Sequence, residues 1–313
     1  MRGKLAVAGF TNLGYLAHSR RFGSLPADMS DTTVVITGGT SGLGLATARS
    51  LSAMGARVVV VGRNPDRLTA AAEQLGSGGA ALRADLSLMS DVRRLADRLL
   101  ETEDRIEVLI NNVGVLLPER TLTEEGLEKT LATNLAGHFL LTGLLAGRLI
   151  ESAPARVVNV SSGGMYTARI RPDDLQFSEG HYNGTVAYAR TKRGQVILTE
   201  MWADYFSGTG VVVHAMHPGW ANTPGVSKSL PTFDKVMRPF LRTPEQGADT
   251  IVWLAAADEP GERSGGFWFD RGPAPTHLTD ATRESPEDRD RLWAALAELT
   301  DLEVGVRSWR ATS

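Results

Sequence analysis

The sequence predicts a doubly wound, mostly parallel α/β sheet in three layers, with helices on both faces, folded as a single domain. Three observations predict it. Apolar runs rich in β-branched residues recur at strand length: TTVVITG (32–38), ARVVVVG (56–62), ALRADLS (81–87), RIEVLINN (105–112), RVVNVSS (156–162), VVVHAMHPG (211–219) and GGFWFD (265–270). Helical segments separate them, and near-continuous apolar strands between helices belong to a parallel sheet covered on both faces, with right-handed crossovers. No internal repeat or linker divides the chain, whose 313 residues, 42% of them hydrophobic, suffice for one large core.

The elements follow in order. Gly42–Met54 reads as a helix with small residues inward. Residues 64–75 open with Asn64 and Pro65, a good helix start. A helix runs on to about Glu103, and helix signals follow at 123–131 and 134–150. Residues 163–184 form a polar insertion, followed by a helix over 185–207. Residues 220–241 hold Pro and Gly between short apolar runs and read as a lid. Thr243, Pro244 and Gln246 resemble a capped helix start, and a last helix covers about 285–300. The division expected is a helical extension at 1–30, a nucleotide-binding body at 31–275 and a helical tail at 276–313.

Composition excludes several classes. With 33 Lys and Arg against 36 Asp and Glu the net charge is −3, so no nucleic-acid surface is expected. The absence of Cys removes disulfides, iron–sulfur centres and thiolate zinc sites, and the six His lack the spacing of a metal motif. The apolar part of residues 1–22 is too short and broken for a spanning helix and shows no leader cleavage site. It reads as a helix packed on the body, with weak membrane-surface contact or a dimer contact as alternatives. A cytoplasmic location is expected.

TGGTSGLG, Thr37 to Gly44, lies between the first strand and a helix start. Glycines there permit a tight turn and close backbone approach, and the helix start offers N–H groups and a positive dipole to a pyrophosphate. This is a Rossmann-type dinucleotide site, with Thr37, Gly38, Thr40, Ser41, Gly42, Leu43 and Gly44 as candidates. The second strand ends at Gly62–Arg63, with no carboxylate for a ribose 2′-hydroxyl. A guanidinium suits a 2′-phosphate, so NADP(H) is expected in preference to NAD(H). Asp85, followed by Leu86, is placed to accept from the adenine amino group or to cap a helix. Asn112, Val113 and Gly114 end the fourth strand beside the same crevice.

Tyr188 and Lys192 stand at i and i+4, on one helix face. A nearby ammonium favours a phenolate, so Tyr188 is expected to have a lowered pKa and to exchange a proton with a carbonyl or alcohol oxygen as hydride moves. Ser162 ends a strand on the glycine-loop edge, where ligands of open α/β sheets sit; its neighbour Ser161 should point to the other face. Asn134 is either a helix N-cap or the holder of a water that relays protons to Lys192.

Taken together, Thr37-Gly38-x3-Gly42-x-Gly44, Asn111-Asn112-Val113-Gly114, Asn134, Ser162 and Tyr188-x3-Lys192 resemble the short-chain dehydrogenase/reductase family, in its retinol dehydrogenase-like branch. Only Val113 departs, where Ala is usual. The resemblance implies a catalytic tetrad of Asn134, Ser162, Tyr188 and Lys192. It also implies a cofactor contact by a PG-x3-T segment, here Pro218, Gly219 and Thr223. The implied activity is NADP(H)-dependent interconversion of a carbonyl and an alcohol. The position of the insertion and the short apolar runs of 220–241 point to an apolar substrate, with Met165, Tyr166, Tyr182, Trp220 and Phe240 as pocket lining or core. The alternative is a catalytically silent NADP(H)-binding regulatory or scaffold protein; a nucleotide-sugar epimerase or dehydratase fits the motifs less well. The family often pairs the helices at 134–150 and 185–207, so a homodimer or homotetramer is left open.

Overall fold

The computed structural model describes residues 9–26, 28–222, 235 and 237–303. Among the described residues, eight strands form one sheet in the order β3-β2-β1-β4-β5-β6-β7-β8. They are β1 Thr33–Thr37, β2 Arg57–Gly62, β3 Gly79–Arg83, β4 Val108–Asn111, β5 Ala155–Val160, β6 Val211–Met216, β7 Phe267–Phe269 and β8 Gly272–Pro273. All pairings are parallel except β7 with β8. The helices are α1 Asn12–Ser19, α2 Gly42–Ala53, α3 Pro65–Leu75, α4 Met89–Thr102, α5 Lys129–Leu131, α6 Gly137–Leu144, α7 Ala146–Glu151, α8 Gly184–Tyr205, α9 Pro244–Ala256 and α10 Pro286–Thr300.

The strand pattern explains why both faces are covered. On β1 and β2, Val35, Val59 and Val61 enter one core while Val34, Ile36, Val58 and Val60 enter the other, as a period of two requires. The chain order reverses between β1 and β4, so their carboxyl ends flank a crevice at the switch point.

Some local expectations shift. The third strand starts at Gly79 and ends at Arg83, two to four residues before the apolar run suggested. Residues 123–131 are not one helix: Leu122 bridges Glu128, Gly126 sits at φ +80°, and helix begins only at Lys129, where the Glu128 carboxylate caps the N–H groups of Thr130 and Leu131. The 134–150 segment starts in a π turn, Ala132–Ala136, and breaks at Leu145. The capping box at Thr243 and Gln246 forms as expected.

The final helix packs on the body. Trp293 lies edge-on to Phe139 (centroids 5.0 Å) and against Trp202 (4.7 Å), each such pair contributing about 0.5–1.5 kcal/mol beyond area burial. That part of the α6 and α8 face is therefore covered within the chain, where an intersubunit contact was left open. Gly194, on the same helix, is closed by Leu135 of its own chain, whose Cδ2 would lie 2.7 Å from an added Cβ.

Candidate active site

The crevice is built first from backbone. Gly38 and Gly42 adopt positive φ (+69° and +54°), and a Cβ on Gly44 would fall 2.3 Å from the Gly38 carbonyl oxygen. The loop thus turns back on its own helix start as only glycine permits. Ser41, the N-cap of α2, makes no side-chain cap bond, so the first-turn N–H groups keep no side-chain acceptor. This uncapped helix start fits an anionic pyrophosphate. Asn112 ties the far side: its Nδ2 donates to the Thr37 and Gly38 carbonyls (2.8 and 3.3 Å). Thr37 Oγ1 accepts from the N–H groups of Asn112 and Val113 (2.9 and 3.2 Å). Thr40 lies against Gly62, and Leu43 packs on Gly247 of α9. The Leu86 side chain is buried in the core, leaving its backbone near Gly137.

Arg63 and Asp85, expected to contact different parts of a cofactor, meet each other: Arg63 donates to Asp85 Oδ2 at 3.2 Å. The other Asp85 oxygen accepts from the Ser87 N–H and hydroxyl, and these bonds with the Arg63 charge hold its pKa below the usual range against the effect of burial.

The chemistry-bearing side chains converge at the end of β5. Asn183 caps α8 by accepting from the N–H groups of Thr185 and Val186, which sets Tyr188 one turn into the helix. Tyr188 and Ser162 meet at Gly164, where an added Cβ would stand 3.6 Å from Ser162 Oγ and 3.7 Å from Tyr188 Cε1. Ser161 points elsewhere, donating to the Lys192 carbonyl at 2.8 Å. Lys192 Nζ donates to the Val160 carbonyl (2.8 Å) and to Gln195 Oε1 (3.0 Å), and lies 5.6 Å from the Tyr188 ring centroid. Gly114 passes close by: an added Cβ would stand 3.2 Å from Nζ.

Two expectations are corrected here. Asn134 is no N-cap. It sits fully buried in the π turn, accepting from Val115 N–H (2.8 Å) and donating to the Val115 carbonyl (2.9 Å) and Thr191 Oγ1 (3.0 Å). A π turn inserts an extra residue, and here it aims this amide into the crevice wall. Second, the Tyr188 pKa is raised, not lowered: burial dominates, and only the Ser162 hydroxyl opposes it. Lys192 is itself pulled down to about 7 by burial, which weakens the charge expected to stabilise a phenolate.

The chain matches the short chain dehydrogenase family over residues 32–232. It belongs to that family. As a short-chain dehydrogenase it is an oxidoreductase acting on CH–OH donors with NAD(P)(H), interconverting carbonyl and alcohol. It is 39% identical to dehydrogenase/reductase SDR family member 12 of Bos taurus over 93% of both chains. It is 34% identical to human retinol dehydrogenase 13, covering 89% of this chain and 87% of the relative. A crystal structure of an uncharacterized protein from Mycobacterium Paratuberculosis superposes with TM-score 0.74 at 29% identity, over 90% of this short-chain dehydrogenase and 98% of that chain. These relatives overturn the cytoplasmic location expected from sequence, because the group they belong to is membrane-associated. Among the described residues no helix is long and apolar enough to cross a membrane.

Several participants were not singled out from sequence. Arg242 is buried (1%) and forms a bidentate pair with Asp270, with NH2 to Oδ2 at 2.8 Å. It also donates to the carbonyls of Pro218, Thr11 and Gly9 (3.3, 3.3 and 2.7 Å), tying the segment after β6 to the residues before α1. Gly219, at φ +72°, leaves the space this guanidinium fills. Phe10 packs edge-on to His217, Trp220 and Phe269. An Arg just past the expected lid carries no sequence signal of burial. Met165 is core, and Tyr166 donates to the Pro275 carbonyl at 2.7 Å. Tyr182 bonds Glu128 and Thr130, while Phe240 is exposed. Thr223 and most of the expected lid lie outside the described residues.

Proposed function

We propose that this short-chain dehydrogenase uses NADP(H) and acts on an apolar carbonyl or alcohol, with Asn134, Ser162, Tyr188 and Lys192 as its catalytic residues. The convergence of Tyr188 and Ser162 at Gly164, at the end of β5, carries the reading, because it places a phenol and a hydroxyl side by side at the carboxyl edge of the sheet. There they hydrogen-bond one substrate oxygen, and Tyr188 passes it a proton. A phenol with a raised pKa is protonated at neutral pH, the form that donates to a carbonyl during reduction. Bound NADP(H) supplies the hydride. Asn134 holds the Val115 backbone and thereby the loop at Gly114.

Thr37, Gly38, Thr40 to Gly44, Asp85, Leu86, Asn112 to Gly114, Pro218, Gly219 and Thr223 line the cofactor in this reading, and Arg63 takes the 2′-phosphate. Arg63 must then exchange its Asp85 partner, a half-exposed pair worth about 0–1 kcal/mol. Retinol in the name of one relative, retinol dehydrogenase 13, supports an apolar substrate. Exposed Leu13 (63%) and Leu16 (50%) on α1 support a weak membrane-surface contact, which sedimentation with liposomes tests.

The decisive assay measures decanal and pyruvate reduction with NADPH and NADH. Turnover of decanal with a lower KM for NADPH is expected. A lower KM for NADH removes the cofactor assignment, preference for pyruvate removes the substrate class, and activity surviving both Tyr188→Phe and Lys192→Ala removes the mechanism.

A further inference from the structure

Gln195 lies three residues beyond Lys192 on α8 and is 2% exposed. Its Oε1 accepts from Lys192 Nζ at 3.0 Å. Its Nε2 stands 2.9 Å from the Asn134 carbonyl oxygen and 2.9 Å from His138 Nδ1. An ammonium offers only donors and a carbonyl only lone pairs, so the amide orientation is forced. Nε2 carries two hydrogens; one serves Asn134 and the other His138. The His138 proton therefore sits on Nε2, and the ring is neutral, its pKa pulled down to about 3 by burial and by the charge of Lys192.

The surroundings of Nζ offer little else to hold a charge. β5 presents the Val160 carbonyl, the loop after β4 presents Gly114, and the π turn and α6 present Asn134 and His138. The titratable neighbours are Tyr188 and His138, and burial alone accounts for the depressed Lys192 pKa, with no carboxylate contributing among the described residues.

We propose that Gln195 is a positioning residue of the reaction: its carboxamide, itself anchored on the Asn134 carbonyl and His138, fixes Lys192 Nζ beneath Tyr188 and holds the proton on that amine. The inference rests on the reading of Tyr188 and Lys192 as the acid–base pair. The contribution of Gln195 is to retain the lysine charge.

The chain has only five lysines, so [13Cε]lysine NMR resolves Lys192 as the signal missing from Lys192→Ala. Removing a hydrogen bond to a charged group by Gln195→Met is expected to lower its titration midpoint by about one to two pH units. Gln195→Glu is expected to raise it, and Gln195→Ala, which leaves room for a water, to fall between Met and wild type. With decanal and NADPH, the alkaline limb of kcat follows the same order, while NADPH affinity, read by fluorescence as a check on folding, changes less than about twofold. A Lys192 midpoint that stays put in both Gln195→Met and Gln195→Glu overturns the proposal. If the wild type leaves decanal untouched, that failure falls on the proposed function, and the NMR titration still decides the role of Gln195.

Discussion

Asp270→Asn removes the charge of the buried carboxylate that pairs with Arg242 and also bonds His18 Nδ1 at 2.7 Å, in the cluster that joins the segment after β6 to the residues before α1. Asp270 sits at φ +49°, a conformation Asn tolerates, so backbone strain is held nearly constant. The substitution turns one of two acceptor oxygens into an NH2 group facing the Arg242 guanidinium. Arg242 and Asp270 are 1% and 3% exposed, so water cannot replace the lost partner. Breaking a buried pair on one side costs about 3–5 kcal/mol. Three carbonyls, from Pro218, Thr11 and Gly9, still accept from Arg242, which places the expectation at the lower end, about 3 kcal/mol. At about 2–4 °C per kcal/mol that is a fall of roughly 6–12 °C in Tm. Urea unfolding of wild type, Asp270→Asn, Arg242→Met and the double variant completes the cycle. The double variant should be less destabilised than the sum of the singles by about 2 kcal/mol, since removing both charges leaves neither uncompensated. Additive singles, or Asp270→Asn costing less than about 1 kcal/mol, refute the argument that this pair is held dry.

Other outcomes follow from the same geometry. Tyr188→Phe should lower kcat by about 10²–10⁴-fold with NADPH affinity unchanged, as steady-state kinetics and fluorescence titration will show. Gly44→Ala places a methyl 2.3 Å from the Gly38 carbonyl oxygen and 2.6 Å from Asn112 Nδ2, so NADPH binding by calorimetry should fall below detection or the loop should lose its turn. His217 is buried and its pKa is pulled down to about 3, chiefly by burial and then by Arg242. Its unfolded form therefore binds a proton between pH 6.5 and about 3 that the folded form refuses, and stability drops as pH falls through that window. His217→Phe should flatten the drop in acid unfolding curves.

Much of the site was legible because local rules dictate it. Strand period two and β-branched runs located seven strands, and only the two-residue β8 escaped, being too short to carry a period. The glycine loop was legible because positive φ and close approach at Gly38, Gly42 and Gly44 demand that residue. Tyr188 and Lys192 share a helix face by spacing alone, and the alternation at the end of β5 separated Ser162 from Ser161.

What the tertiary structure decided is how those groups are charged and what holds them. Spacing predicted a phenol eased toward ionisation by an ammonium, yet burial raises Tyr188 and depresses Lys192, because desolvation depends on what packs around a group rather than on its neighbours in sequence. Arg63 and Asp85, 22 residues apart, pair across two strand ends; Arg242 and Asp270 lock inside; and Gln195 reaches a carbonyl 61 residues away. Each of these is a contact between distant segments that becomes definite only when the sheet order brings them together. The sequence determined the scaffold and the reacting side chains, since backbone geometry and periodicity are local. Packing determined their protonation and their supports, since dielectric and hydrogen-bond partners are not.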